Sequence, residues 1–144
     1  MTVCVGNICR SPVAEGLLKA ALPQCEVWSS GLSALVGHPA DPMAVQIAKK
    51  HSLDISAHRA QQISSWMVSH ADLILVMEAY QQRELEKKYP LARGKIRCIG
   101  EFGASGAFDV ADPYTQGQSA FETSHNAIAL GATTWISRIR QLTS

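Results

Sequence analysis

Nine consecutive residues, Cys4-Val5-Gly6-Asn7-Ile8-Cys9-Arg10-Ser11-Pro12, place a thiol, a guanidinium and a hydroxyl within one short span. If the backbone wraps between a strand end and a helix start, successive amide N–H groups point inward and make an anion nest. The N-terminus of the following helix adds partial positive charge. Gly6 lets a ligand approach the chain closely, and Asn7 tolerates a left-handed conformation. Arg10 supplies a planar fork that grips two phosphate oxygens at once. Cys4, at the rim, is stabilised as a thiolate by the same donors, so it is expected to attack phosphorus without a separate general base. Ser11 can hydrogen-bond to the thiolate or to the leaving thiol.

A Cys-x5-Arg spacing is weak by itself, and its bland reading is a structural Cys4 beside a surface Arg10. The surroundings favour chemistry. The motif follows a strand, contains Gly-Asn, and ends in Ser-Pro at a helix start. An acid is then needed to protonate the leaving oxygen. The loop over residues 100–113 offers Asp109 and Asp112. Asp112-Pro113-Tyr114 is preferred, because Pro113 stiffens the loop and Tyr114 can wall an aromatic cleft. Spacing alone favours a simple turn there. Asp41-Pro42 reads as a helix start.

The elements that must hold these groups alternate. A short strand over residues 2–5 runs into the Gly6-Asn7 turn. Ser11 reads as an N-cap with Pro12 at the first helical position, and Pro23 ends that helix. A second strand is predicted over residues 26–30, closed by Gly31. A helix with Ala44, Ile47 and Ala48 inward follows, and then a weak helix near residues 61–66. Residues 72–77 form an unbroken apolar run after Asp72, the mark of a central parallel strand covered on both faces. A polar helix over 80–88, a strand over 95–99 and a long helix over about 118–140 complete the chain. Phe121, Ser124, Ile128, Ala132, Trp135, Ile136 and Ile139 share one face of that last helix. Such alternation predicts a parallel sheet between helix layers, with sites where loops leave the C-terminal strand ends.

Composition bounds the rest. The 144 residues suit one domain, 1–144, with a proper core. Net charge is only +1. Nothing global therefore points to nucleic acid or an acidic membrane surface, and any anion site must be built locally. No apolar run is long enough to span a bilayer, so no membrane insertion is expected. No basic leader precedes a long apolar stretch, so a signal peptide is not expected. The four cysteines, Cys4, Cys9, Cys25 and Cys98, are read as free thiols of a cytoplasmic protein. The five histidines lack metal-ligand spacing. Cys25, Cys98, Trp28, Trp135 and Phe121 are expected in the core. His38, His51, His70 and His125 are expected to be surface or capping residues rather than ligands.

The nine-residue motif resembles the signature loop of the low-molecular-weight protein tyrosine phosphatases. Ser30-Gly31, Gly37-His38-Pro39-Ala40-Asp41-Pro42, Asp54-Ile55-Ser56-Ala57-His58-Arg59-Ala60, Leu75-Val76-Met77 and Asp112-Pro113-Tyr114 resemble further family blocks in the family's order. The resemblance implies a three-layer α/β/α fold with a four-stranded parallel sheet and no metal or other cofactor. It implies Cys4 as nucleophile, Arg10 as transition-state clamp and Asp112 as the acid that later activates water. Val5, Gly6, Asn7, Ile8, Cys9 and Ser11 then form the phosphate-binding loop. Asn7, Ser11, Ser30 and His58 match a network that supports it, and Leu35 and Tyr114 line the substrate cleft. Cys9 resembles a second cysteine that can pair reversibly with Cys4.

The likeness is greatest to bacterial members tied to exopolysaccharide export, which act on a tyrosine autokinase. Thr115 agrees, standing where many eukaryotic members carry a second tyrosine. The implied partner is thus a phosphotyrosine protein, with inorganic phosphate as product and inhibitor. Arsenate reductase, on the same fold, needs two further closely spaced cysteines, whereas Cys25 and Cys98 lie far apart. Protein arginine phosphatases tend to carry threonine where this chain has Ile8, and the bulkier apolar residue favours an aryl phosphate.

Overall fold

The computed structural model describes residues 1–144. Its elements run β1 (Thr2–Cys4), α1 (Arg10–Ala21), β2 (Ser29–Gly31), α2 (Pro42–Lys50), α3 (Ser65–His70), β3 (Ile74–Val76), α4 (Ala79–Lys88), a 3-10 turn (Pro90–Ala92), β4 (Ile96–Cys98) and α5 (Gln118–Thr143). All pairings are parallel, in the order β2-β1-β3-β4. The chain leaves β1 towards β2 and later returns to place β3 on the other side of β1. Loops leaving β1 and β3 therefore diverge, and a crevice opens between them at the C-terminal strand ends.

Alternation within β3 divides the core. Leu75 points into an apolar cluster with Leu18, Ile47, Phe121, Ile128 and Trp135, contributed by α1, α2 and α5. Ile74 and Val76 point into a second cluster with Val3, Val68, Leu85 and Ile96, on the α3 and α4 side. The central strand is thus covered on both faces, as its unbroken apolar run predicts.

Several expected boundaries shift for identifiable reasons. The strand predicted over 72–77 pairs only at Ile74–Val76, and Met77 N–H is taken by the Gln81 side chain at 2.9 Å. Gly31 does not close β2 but lies in the ladder opposite Cys4. A Cβ there would sit 2.6 Å from the Val5 carbonyl oxygen, so glycine is needed for that approach. The weak helix near 61–66 is instead at Ser65–His70, capped by Ser64, whose hydroxyl accepts from Met67 N–H. Gln61 and Ile63 bond the backbone of Gly31 and extend the edge of β2. Asp41 caps α2 by accepting from Met43 N–H at 2.8 Å, as the Asp-Pro step predicts.

Trp135 and Phe121 are buried, whereas Trp28 is half-buried beside Trp66, with ring centroids 6.3 Å apart. Cys25 and Cys98 are half-buried rather than core residues. His125 departs from expectation more sharply. It is buried at 3% exposure on the inner face of α5, stacked on His51 at 4.2 Å. No helix is long and apolar enough to cross a membrane.

Candidate active site

The loop between β1 and α1 is held from outside. The carbonyls of Cys4, Val5, Gly6 and Ile8 accept from the N–H groups of Leu32, Ser33, Leu35 and Asp41, at 3.0, 2.9, 3.1 and 2.8 Å. His58 Nε2 donates to the Asn7 carbonyl at 2.6 Å. Five consecutive carbonyls thus face away from the loop's centre, which turns the amide edges inward as an anion nest requires.

Asn7 sits at φ +58°, a left-handed conformation that asparagine tolerates. Its buried side chain fixes that geometry. Nδ2 donates to Ser11 Oγ at 2.7 Å and to Ser29 Oγ at 3.0 Å, while Oδ1 accepts from Gln61 N–H at 2.9 Å. Ser29 in turn donates to Glu15 at 2.6 Å. The support expected of Ser30 therefore comes from Ser29. Neighbouring strand residues face opposite sides of the sheet, and the Ser30 hydroxyl lies 3.2 Å from Met1 Sδ. Ser11 is not the cap of α1, which begins at Arg10 after Cys9 with no side-chain cap. The Ser11 hydroxyl is engaged by Asn7 and lies 3.0 Å from Cys4 Sγ.

Arg10 is 1% exposed, the largest fully buried side chain of the protein. One edge of its guanidinium is occupied. Nη1 donates to Glu78, just after β3, and to the Val110 carbonyl at 2.8 Å. Nη2 lies 3.8 Å from Asp112 Oδ2, and Nε is buried with no protein partner. Arg10 lines a cleft of about 200 Å³ together with Cys4, Val5, Gly6, Ile8, Cys9, Ser33, Leu35, Asp112 and Tyr114. The structure so brings the loop, the expected acid and the expected cleft walls into one space.

The two candidate acids separate. Asp109 accepts from Ala79 N–H at 3.0 Å and so anchors the start of α4. Asp112 has a half-exposed side chain over the cleft, with Oδ1 accepting from Tyr114 N–H at 3.1 Å. The two loop thiols also differ. Burial, reinforced by the Asp41 carboxylate, pushes the Cys9 thiol well above its ordinary range, so Cys9 stays protonated near neutral pH. Ser29, Gln61, Glu78, Ser33 and the Val110 carbonyl escaped the sequence reading. Only the position of Glu78, directly after the central strand, signals a site residue.

These features suit an anion held beside a thiol, in a cleft at the crevice of a four-stranded parallel α/β sheet. Comparison with known families matches residues 1–143 to the "Low molecular weight phosphotyrosine protein phosphatase" description. A relative from Ralstonia nicotianae, "Probable low molecular weight protein-tyrosine-phosphatase EpsP", is 46% identical over 142 residues, covering 99% of this chain and 96% of that protein. The solved structure "Vibrio vulnificus Wzb in complex with benzylphosphonate" is 41% identical with a TM-score of 0.89, covering 95% of both chains. "YwlE arginine phosphatase from Geobacillus stearothermophilus" is 26% identical with a TM-score of 0.90, covering 97% of this chain and 91% of that one. The chain belongs to the low molecular weight protein tyrosine phosphatase family, a family of hydrolases.

Proposed function

We propose that this protein hydrolyses phosphotyrosine in a protein substrate through a cysteinyl-phosphate intermediate on Cys4. The observation that carries the reading is the divided guanidinium of Arg10. Glu78 and Val110 hold Nη1, which leaves Nε, without a protein partner, and Nη2 for phosphate oxygens in the cleft that Arg10 lines.

The substrate dianion binds in the nest, with Arg10 and the loop amides on its non-bridging oxygens. These donors act most strongly on the equatorial oxygens of the transition state. The Cys4 thiolate attacks in line. The S–P bond forms, the P–O bond to the aryl group breaks, and Asp112 gives its proton to the departing oxygen. Ser11 Oγ, 3.0 Å from Cys4 Sγ, stabilises the sulfur when it carries charge. Water then attacks phosphorus and loses a proton to Asp112. The S–P bond breaks, and inorganic phosphate leaves with the thiolate restored. Phosphate fits the same donors, so it acts as a competitive inhibitor.

Ile8, Leu35 and Tyr114 give the cleft an apolar and aromatic wall, which suits a phenyl ring better than a guanidinium. This supports phosphotyrosine over phosphoarginine. The four unpaired thiols suit a reducing cytoplasm. The likeness to exopolysaccharide-associated bacterial members supports a tyrosine autokinase as the substrate. The test is direct. Cys4→Ser should reduce hydrolysis of p-nitrophenyl phosphate to background, and phosphotyrosyl peptides should be hydrolysed in preference to phosphoarginyl peptides. Normal turnover by Cys4→Ser, or the opposite preference, would refute the reading.

A further inference from the structure

The end of the sheet remote from the cleft has its own chemistry. α4 finishes there, the 3-10 turn Pro90–Ala92 follows, and β4 begins. Residues 83–95 carry five cations, Arg83, Lys87, Lys88, Arg93 and Lys95, against two acids, Glu84 and Glu86. This short span is +3 in a chain whose total is +1, so all the remaining residues together are net negative. Lys87, Lys88 and Arg93 are exposed, and none of them is in an ion pair. Leu91 lies among them at the crest of the turn. It is the most exposed large apolar side chain of the protein, at 102%.

Lys95 connects this segment to α3 by donating to the Ala71 and Ser69 carbonyls at 2.8 and 3.4 Å. α3 presents Trp66, 67% exposed and stacked on His70 at 5.2 Å. Besides Glu84 and Glu86, this end carries Asp72, beside the chain's amino group, and Glu26, which faces His70 at 3.6 Å. An exposed leucine flanked in the chain by unpaired lysines and an arginine, with an exposed tryptophan on the adjoining helix, matches a membrane interface. Cations there are attracted to anionic headgroups while apolar tips enter the boundary region. An acidic protein partner would satisfy the cations, and the anionic surface is favoured because its boundary region also takes up a leucine exposed along its whole side chain.

We infer that the 83–95 segment, with Leu91 at its tip, docks the protein peripherally on an anionic lipid surface. Adsorbed by this end, the protein turns the C-terminal strand ends, and so the cleft, away from the bilayer. Catalysis continues while the enzyme is concentrated at the surface.

The experiment is co-sedimentation with vesicles of phosphatidylcholine containing one quarter phosphatidylglycerol, against pure phosphatidylcholine. Binding to the mixed vesicles only, lost at high salt, is the expected result. Each cation removed should weaken binding about fivefold. The Lys87→Glu/Lys88→Glu/Arg93→Glu variant should weaken it at least a hundredfold, and Leu91→Ser severalfold. p-Nitrophenyl phosphate turnover in solution should stay at the wild-type rate in both. A blue shift of tryptophan emission on binding, lost in Trp66→Ser, gives an independent signal. No binding to the mixed vesicles, equal binding to both kinds, or binding unaltered in the variants would overturn the inference. So would retention on polyglutamate without vesicle binding, which would indicate an acidic protein partner instead.

Discussion

The loop that carries Cys4 and the loop that carries Asp112, which the proposed mechanism joins in one reaction, are built in opposite ways. The first is almost wholly buried, and each carbonyl from Cys4 to Ile8 is bonded to another segment. The second is exposed over most of residues 104–117, and its acid is held by a single local bond from Tyr114 N–H. The contrast fits the tasks proposed for them. A nest must keep its amides converged before the anion arrives, because reorganising them during the reaction would cost the stabilisation they provide. A proton donor must reach a bulky leaving group and later a water molecule, so it needs solvent and space.

Substitutions in the two loops should therefore fail differently. Asp112→Ala leaves the nest intact, so it should lower kcat by roughly 10²–10⁴ with little change in phosphate inhibition. Steady-state kinetics over a pH series would show the loss of one limb of the profile. A large rise in the phosphate inhibition constant would instead place Asp112 in anion binding. Asn7→Ala should act on the fold as well. It removes three side-chain bonds, two of them buried, and leaves alanine at φ +58°, for a combined loss of about 3 kcal/mol in urea unfolding. A loss below about 1 kcal/mol would show that the loop keeps its shape without this brace.

Glu78→Gln is a finer probe. It exchanges a charged acceptor on Arg10 Nη1 for a neutral one, so kcat/KM should fall about tenfold, the worth of one charge-assisted bond. Phosphate affinity should weaken in parallel, because the guanidinium sets both. The smallest effect concerns the helical wall behind the nest. Burial, followed by the nearby His51, lowers the pKa of His125 below its ordinary value. The unfolded chain then binds more protons than the folded one as pH falls below about 6.5. This contribution to stability is complete above that pH and is lost on acidification towards the folded pKa. His125→Gln should flatten the slope of unfolding free energy against pH between 5 and 7, and an unchanged slope would assign it to other groups.

Legibility in the sequence divides along the same line. The phosphate loop could be read because its chemistry is local: thiol, glycine, asparagine, guanidinium and serine lie in eight successive positions. Its braces could not, because Ser29 and Gln61 stand 22 and 54 residues from Asn7. The Ser30 expectation shows how narrow the margin is. In a strand, a slip of one residue moves a side chain to the other face, and Ser29 rather than Ser30 faces the loop. Ser11 before Pro12 has the form of an N-cap, while its hydroxyl is turned to Asn7 and Cys4 instead. A polar side chain argues for the surface at His125, but helical spacing puts it on the same face of α5 as Phe121 and Ile128. The order of elements was legible from the alternation, and the three-residue length of each strand was not. Whole-chain charge likewise concealed the basic segment 83–95, because acids elsewhere balance it.

The central claim is that Cys4 carries the phosphoryl group between the two half-reactions. Rapid acid quenching during turnover of a labelled aryl phosphate, followed by proteolysis and mass spectrometry, tests it most directly. A phosphoryl group on the peptide containing Cys4, absent from Cys4→Ser and longer-lived in Asp112→Ala, is the predicted result. Label on another residue, or undiminished turnover with no labelled peptide, would contradict it.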